Sequence, residues 1–252
     1  MNILFTICGR AGSKGIKNKN IRNFLSAPLP YYSLAAIVMY LDTNKDINAD
    51  IVVNTDSKEL IELFNKNTMS KVEIIERSKE LSTDNAPKIA VILDCLVKME
   101  EKNNFKYDMV VDLDITSPLR TINDISHLIK KQKDTQCDVA FSVTTARRNP
   151  YFNMVMKTEK GYKRVIETNF IARQEAPEIF DMNASMYAYA PEYLKQGKGV
   201  LDGYCEVIEM YDTGILDLDH ENDFELMEIV GKYLFETKNE FKEIRDFVIQ
   251  HK

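Results

Sequence analysis

A short basic, glycine-rich stretch near the start of the chain, GRAGSKGIKNKN at 9–20, contains the first residues whose types and spacing could do chemistry. Gly9, Gly12 and Gly15 recur every three residues directly after the apolar run NILFTIC. Glycines let backbone N–H groups approach phosphate oxygens, and basic side chains supply the opposing charge. The basic residues of the stretch and its flank are Arg10, Lys14, Lys17, Lys19 and Arg22.

This stretch has two interpretations. No Asp or Glu precedes Asp42, so its positive charge is unbalanced, although the whole chain has a formal net charge of -6. A short charge run is usually a solvated loop. The glycine spacing and the position after an apolar run favour a phosphate-binding loop, although the spacing matches neither GxGxxG nor GxxxxGK[ST].

A pair of carboxylates, Asp217 and Asp219 in ILDLDH, is the second candidate. In an extended segment, residues two apart point to the same side and lie about 6.6 Å apart, so both could converge on one ion. Magnesium prefers such oxygen ligands. The alternative is a pair of strand-edge charges that caps the following helix. One carboxylate could also accept a proton, and the sequence does not say which.

The composition limits the class of protein. A chain of 252 residues, 44% hydrophobic and 29% charged, is typical of one globular domain. No apolar run reaches the length of a membrane span and no signal peptide is recognisable, so we expect a cytoplasmic protein that binds no membrane. The four cysteines show no metal-binding spacing and are expected to be reduced thiols. The acidic balance argues against nucleic-acid binding.

Apolar β-rich runs alternate with helical patterns, which predicts an α/β fold with a mostly parallel sheet and helices on both faces. In such sheets ligands bind beyond the carboxyl ends of the strands, where the stretch 9–20 lies. One helix is predicted at 30–41, and another at 87–102 has Pro87 at its start and Asp84 as a plausible cap. The predicted strands are 2–8, 51–55, 72–75, 108–113, 139–144 and 214–218.

The alternation breaks at 145–190, a segment rich in Tyr, Phe, Arg and Asn. We interpret it as an insertion within a single 1–252 domain, either an elaborated surface or a dimerisation arm, since aromatic residues and arginine are enriched at interfaces. From Glu221 onward the pattern predicts one or two amphipathic helices.

Four segments, in order along nearly the whole chain, carry a resemblance to a known family. GRAGSKGIKNKNI resembles the motif R-x-G-S-K-G-x-x-x-K-N of the CMP-acylneuraminate synthetase family, the cytidylyltransferases of sialic and other nonulosonic acids. RSKELSTDNA at 77–86 resembles R-x-x-x-L-[SA]-x-D-x-A, and ITSPLR at 115–120 resembles P-T-S-P-L-R. ILDLDHENDF at 215–224 resembles I-D-I-D-x-x-x-D-[FL].

The resemblance implies a nucleotidyltransferase (Rossmann-like) fold, a homodimer whose insertion reaches the partner's site, and transfer of CMP from CTP to a nine-carbon 2-keto sugar acid with Mg2+. Arg10, Lys19 and Asp217 are the implied catalytic residues, and Asp217 and Asp219 are the implied metal ligands. The implied nucleotide-binding residues are Arg10, Gly12, Ser13, Lys14, Gly15, Lys19, Asn20, Arg77, Asp84 and Asn85. The implied sugar-binding residues are Asp114, Thr116, Ser117, Arg120, Arg173, Gln174 and Asn183, with Arg173 offered to the partner.

The chain departs from the family's pattern at three positions. Asp114 stands where sialic acid enzymes have Gln, Asp181 where relatives have Arg, and Lys88 where relatives often have Ser. An ionised Asp only accepts hydrogen bonds, so Asp114 needs a donor from the substrate or a place in the metal shell. These departures favour a relative of sialic acid, with legionaminic acid first. Alternatives are N-acetylneuraminic acid, a shorter keto sugar acid, or a non-catalytic nucleotide-binding dimerisation module.

Overall fold

A central sheet with helices on both faces forms the body of the protein. The structure is a computed structural model that describes residues 1–12, 15–170, 172–214 and 218–252. The strands are β1 Asn2–Cys8, β2 Asn23–Phe24, β3 Ala27–Pro28, β4 Asn48–Thr55, β5 Glu73–Glu76, β6 Met109–Leu113, β7 Val139–Thr145, β8 Val155–Thr158, β9 Gly161–Arg164, β10 Phe180–Tyr189 and β11 Cys205–Glu209. The helices are α1 Leu29–Thr43, α2 Lys58–Lys66, α3 Lys88–Asn103, α4 Ile122–Thr135, α5 Pro191–Leu194, α6 Glu221–Thr237 and α7 Asn239–His251.

The sheet has the order β11-β7-β10-β6-β1-β4-β5 within the described residues, and β10 alone of these runs antiparallel to its neighbours. Alternate side chains of β1 explain why both faces are covered. Ile3 and Phe5 pack with α1, α4, α6 and α7, whereas Leu4 packs on the opposite face with α3 and α5. Such two-sided burial is what parallel strands require. The predicted fold class is confirmed.

The element predictions hold best where the apolar pattern is strong. β1 has the predicted bounds, and α1 and α3 begin and end within two residues of the predicted helices. Asp84 is not the cap of α3, because Pro87 takes the N-cap position without a side-chain cap. Gly214 and Leu218 lie in no strand, and the rest of the predicted strand 214–218 falls outside the described residues.

The last part of the segment 145–190 belongs to the central sheet, so only the part before residue 180 lies apart from the sheet. β10, at 180–189, lies in the sheet between β6 and β7, and most of its side chains from Asn183 onward are buried. Upstream of it, β8 and β9 form a separate antiparallel hairpin, which we call the 155–164 hairpin. Its side chains are exposed, including Val155 at 61% and Tyr162 at 74%.

β11 was missed because it is a short edge strand paired only with β7 in the described sheet. The pattern from Glu221 onward predicts one or two helices, and the structure has two, α6 and α7. Within the described residues, no helix combines the length and apolar character needed to cross a membrane.

Candidate active site

A cleft of about 360 Å³ lies beyond the carboxyl ends of β1, β5 and β6. Because these strands run parallel, the segments that follow them meet at one edge of the sheet. The walls of the cleft also include the start of α3 and the segment before α6. The lining residues are Cys8, Gly9, Arg10, Gly15, Lys19, Asn20, Arg77, Leu81, Thr83, Asp84, Ala86, Lys88, Val91, Asp114, Thr116 and Asp219.

The segment after β1 is tied down by hydrogen bonds to its backbone. Gly9 N donates to Asn54 O at 3.2 Å, and Asn20 Nδ2 donates to Arg10 O at 3.0 Å. Ala11 N donates to a carboxylate oxygen of Asp56 at 2.7 Å. Asn20, which is predicted to bind the nucleotide, therefore stabilises the loop through a hydrogen bond between two of the loop's own residues.

The loop also closes against the segment that precedes α6. A Cβ atom at Gly15 would lie 2.0 Å from the backbone oxygen of Asp219, so only glycine fits there without a shift. Lys19 Nζ donates to Leu218 O at 2.6 Å and lies 3.9 Å from a carboxylate oxygen of Asp219. Two sequence motifs about 200 residues apart thus form one wall of the cleft.

Arg10 and Asp84 form an ion pair across the cleft, and both side chains are about a third exposed. Ion pairs this exposed contribute about 0–1 kcal/mol, so a polyanion can displace the carboxylate at little cost. Asn85, predicted beside Asp84, is exposed and does not line the cleft. Gly12 has a positive φ of 70°, which favours glycine at that turn.

Arg77 is held in place by one residue of β4. Its Nε donates to Asn54 Oδ1 and its Nη2 to Asn54 O, both at 2.8 Å. Asn54 Nδ2 in turn donates to Asp94 at 3.1 Å. The guanidinium therefore keeps one orientation at the cleft wall, and its role in nucleotide binding stays a prediction.

Lys88 lies between two carboxylates at the end of β6. Its Nζ donates to Asp114 Oδ2 at 2.7 Å and lies 2.8 Å from Asp112 Oδ2, in ion-pair contact outside hydrogen-bond geometry. Asp112 is fully buried, and its other oxygen accepts from Thr6 Oγ1 at 2.7 Å. The donor that Asp114 requires thus comes from Lys88, another of the three departures from the family pattern.

The charges of this cluster reinforce one another. Burial would raise the pKa of Asp114, but the Lys88 ammonium and hydrogen bonds from Thr116 lower it to about 2. Burial would lower the pKa of Lys88, but Asp112 and Asp114 raise it well above its usual value. Asp114 is therefore ionised and a poor proton acceptor at neutral pH.

Thr116 completes the coordination of Asp114. Its backbone N–H and its hydroxyl donate to Asp114 Oδ1 at 2.8 and 2.7 Å. Ser117, predicted next to it, is half-buried and is not among the residues that line the cleft.

Arg120 lies in the protein interior rather than at the cleft wall. It is 1% exposed, and its guanidinium donates to Asp114 O at 2.6 Å and Ser33 Oγ at 2.7 Å. Two weaker bonds reach Ser185 Oγ and O. Burial lowers the pKa of Arg120 to about 10, so it stays charged at neutral pH. Sequence reasoning predicted a sugar ligand, whereas these contacts make Arg120 a positioning residue for the loop after β6.

Two other predicted sugar-binding residues lie away from the cleft. Asn183 is 7% exposed, and its Oδ1 accepts from Ser142 Oγ at 2.6 Å beneath an irregularity in β10. Gln174 is exposed and lines a second cavity of about 460 Å³ with Arg147 and Phe180. Ser13, Lys14 and Asp217 fall outside the described residues, as does the side chain of Arg173.

The predicted metal site has one described member. Asp219 lines the cleft with its side chain 69% exposed, and carboxylate oxygens are the hard ligands that Mg2+ prefers. Among the described residues, no group of three or more His, Cys, Asp and Glu side chains could hold a metal ion. Asp219 therefore has the right chemistry for a magnesium ligand, and the magnesium site at Asp217 and Asp219 stays a prediction.

The cytidylyltransferase family model matches residues 4–241 of the chain. This chain belongs to that family. Cytidylyltransferases are nucleotidyltransferases, so the prediction of an enzyme rather than a silent binding module is confirmed.

Individual relatives extend the match over nearly the full length of the chain. Post-translational flagellin modification protein B of Campylobacter coli is 34% identical over 91% of this chain and 95% of its own. CMP-N,N'-diacetyllegionaminic acid synthase of Campylobacter jejuni is 33% identical over 94% of this cytidylyltransferase and 96% of its own chain. A CMP:2-keto-3-deoxy-manno-octonic acid synthetase structure complexed with CTP shares the fold, with a TM-score of 0.65 at 13% identity over 92% of this chain and 99% of its own.

The buried position of Arg120 generates a stability prediction. Arg120→Met removes one donor from each of two carbonyl oxygens and two hydroxyls, so it should lower the free energy of unfolding by about 1–3 kcal/mol. Urea unfolding of the variant measures this loss. Arg148→Met, at an exposed arginine, is the matched control and should change stability by less than about 0.5 kcal/mol. Equal stability of the two variants would return Arg120 to the role of a ligand.

Proposed function

We propose that this cytidylyltransferase uses CTP to activate a nine-carbon 2-keto sugar acid of the legionaminic acid type, forming the CMP-sugar and pyrophosphate. The observation that carries the proposal is the closure of the basic loop 9–20 on Leu218 and Asp219 through Gly15 and Lys19. This closure brings phosphate-binding and metal-binding chemistry to one wall of a cleft that is large enough for a small ligand.

The reaction joins two negatively charged molecules. The anomeric hydroxyl of the sugar acid attacks the α-phosphorus of CTP, the bond to pyrophosphate breaks, and the hydroxyl proton is lost. Charge opposes the approach of an oxygen to a polyanion, so catalysis comes from neutralising and aligning the phosphates. Arg10 and Lys19 supply positive charge at the loop, and Arg77 supplies it from the end of β5.

Mg2+ is the proposed cofactor, with Asp217 and Asp219 as the residues that would hold it. A bound magnesium ion would supply charge neutralisation at the phosphates. The protein also places a positive charge of its own at this site, because Lys19 Nζ lies 3.9 Å from a carboxylate oxygen of Asp219.

The choice of sugar acid rests on a relative and on the cleft. The Campylobacter jejuni relative is named for N,N'-diacetyllegionaminic acid and aligns over 94% of this chain. Lys88 and Asp114 give the cleft a charged donor and a charged acceptor, whereas relatives often have Ser at the first position and sialic acid enzymes usually have Gln at the second. This difference supports a substrate other than N-acetylneuraminic acid.

We also propose a homodimer in which the 155–164 hairpin meets a second copy. The hairpin and its flanks expose large apolar side chains, which mark interaction sites when they cluster. These side chains are Met154, Val155, Met156, Tyr162, Val165 and Ile166. The expected cytoplasmic location fits the free cysteines Cys8, Cys95, Cys137 and Cys205.

Pyrophosphate release tests the proposed function. With N,N'-diacetyllegionaminic acid as acceptor, CTP should give faster release than ATP, GTP or UTP at matched concentrations, and a CMP-sugar should accumulate. N-acetylneuraminic acid should be the poorer acceptor. Faster release with another nucleotide, or no release with either sugar acid, would contradict the proposal.

The basic loop predicts a difference between two neighbouring lysines. Lys19→Ala and Arg10→Ala should each lower kcat/KM by at least ~10²-fold with the fold intact. Each removes a positive charge that would stabilise the negative charge developing on the phosphates in the transition state. Lys17→Ala removes the same charge from an exposed position outside the cleft and should retain activity within a few fold. Equal losses at positions 17 and 19 would mean that only the overall charge of the loop matters.

The carboxylate pair predicts a change in metal dependence. Asp217→Asn and Asp219→Asn should each raise the magnesium concentration for half-maximal activity and lower kcat, since an amide is a neutral and weaker ligand for a hard cation. Titration of magnesium at saturating CTP measures both effects. An unchanged titration curve in both variants would move the metal to other residues.

A further inference from the structure

We propose that Lys88 is a specificity-determining residue for the sugar acid, and that Lys88 and Asp114 together bind one of its hydroxyl groups as a donor–acceptor pair. This inference rests on the proposed function and names the part of the cleft that selects the acceptor.

The first argument is that Lys88 is held in place from two sides. Asp112 approaches it at 2.8 Å from inside the sheet and Asp114 at 2.7 Å from the cleft wall. Asp112 is itself fixed by Thr6 and has no exposed surface. An ammonium group anchored between two carboxylates loses little further freedom when a ligand binds, which favours selective recognition.

The second argument comes from counting hydrogen-bonding positions. Asp114 Oδ1 already accepts two bonds from Thr116, and Oδ2 accepts one from Lys88. An ammonium has three donors and a carboxylate about four acceptor positions. Among the contacts of the described residues, Lys88 therefore keeps at least one N–H that is taken neither by Asp114 nor by the ion-pair contact with Asp112, and Asp114 Oδ2 keeps one lone pair for a ligand.

The geometry of the pair selects the ligand group. Donor and acceptor are 2.7 Å apart, so a single hydroxyl can accept from Lys88 and donate to Asp114 at the same time. The N–H and C=O of a trans amide point in opposite directions, so one acetamido group cannot satisfy both. The pair is therefore matched to a hydroxyl.

The third argument is the charge of the cluster. The formal charges of Lys88, Asp112 and Asp114 add up to -1. The low pKa of Asp114 and the raised pKa of Lys88 keep these two groups ionised at neutral pH. The net negative charge of this cluster repels a triphosphate or the sugar's own carboxylate, but it does not repel a neutral hydroxyl. The basic loop supplies the opposite charge for the triphosphate.

Steady-state kinetics on the full-length enzyme, with CTP and N,N'-diacetyllegionaminic acid as probes, test the inference. Lys88→Met should raise the KM for the sugar acid about tenfold or more, the scale of one lost hydrogen bond to a charged group, and leave the KM for CTP within about twofold. Lys88→Met/Asp114→Asn should be no worse than Lys88→Met, because the two residues act as one unit. Lys102→Met, on the same helix but outside the cleft, should match wild type.

Folding is controlled separately. Lys88→Met leaves Asp112 without its cation, so thermal melts accompany the kinetics, and Lys88→Met/Asp112→Asn repeats the test without the buried charge. A raised KM for CTP with an unchanged KM for the sugar acid would overturn the inference, and so would unchanged values for both substrates. A wild type that releases no pyrophosphate with CTP and either sugar acid would instead overturn the proposed function, and the inference with it.

Discussion

Lys88 lies between Asp112, which is buried in the sheet, and Asp114 at the cleft, and this ion contact fixes the geometry on which the site depends. Asp112 has no exposed surface, so loss of its cation would leave an uncompensated charge inside the protein. This contact therefore ties the start of α3 to β6 and to the loop after β6. Arg120 secures the same loop from below through Asp114 O. The wall formed by Asp114 and Thr116 is therefore rigid before any ligand arrives.

The opposite wall is built on backbone contact instead of charge. Gly15 approaches the backbone of Asp219 too closely for any side chain, and Lys19 donates to Leu218 O. The segment before α6 is thus joined to the loop after β1. In this net-acidic chain, Arg10 and Lys19 of the basic loop line the cleft, whereas Lys17 lies exposed outside it.

The local features of this architecture could be predicted from the sequence. β1 and the basic loop follow from a short apolar run and regular glycines, and α3 follows from its apolar periodicity. The motif around Arg120 does not reveal that this side chain is buried, because the four hydrogen bonds of its guanidinium reach residues 65 and 87 positions away as well as its own loop. The sequence marked Lys88 and Asp114 as separate departures, but their pairing across 26 residues is a tertiary contact. β10 was placed in an insertion because its aromatic residues suggest an interface as readily as a sheet interior.

A crystal structure of the protein with CTP and magnesium tests the central claim, that the cleft has a phosphate-binding wall and a separate sugar-binding wall. The account predicts phosphate oxygens within hydrogen-bond distance of Lys19 and the backbone of loop 9–20, with magnesium bound at the Asp219 segment and Lys88 still paired with Asp114. Phosphate oxygens bound to Lys88, with Asp114 displaced, would contradict it.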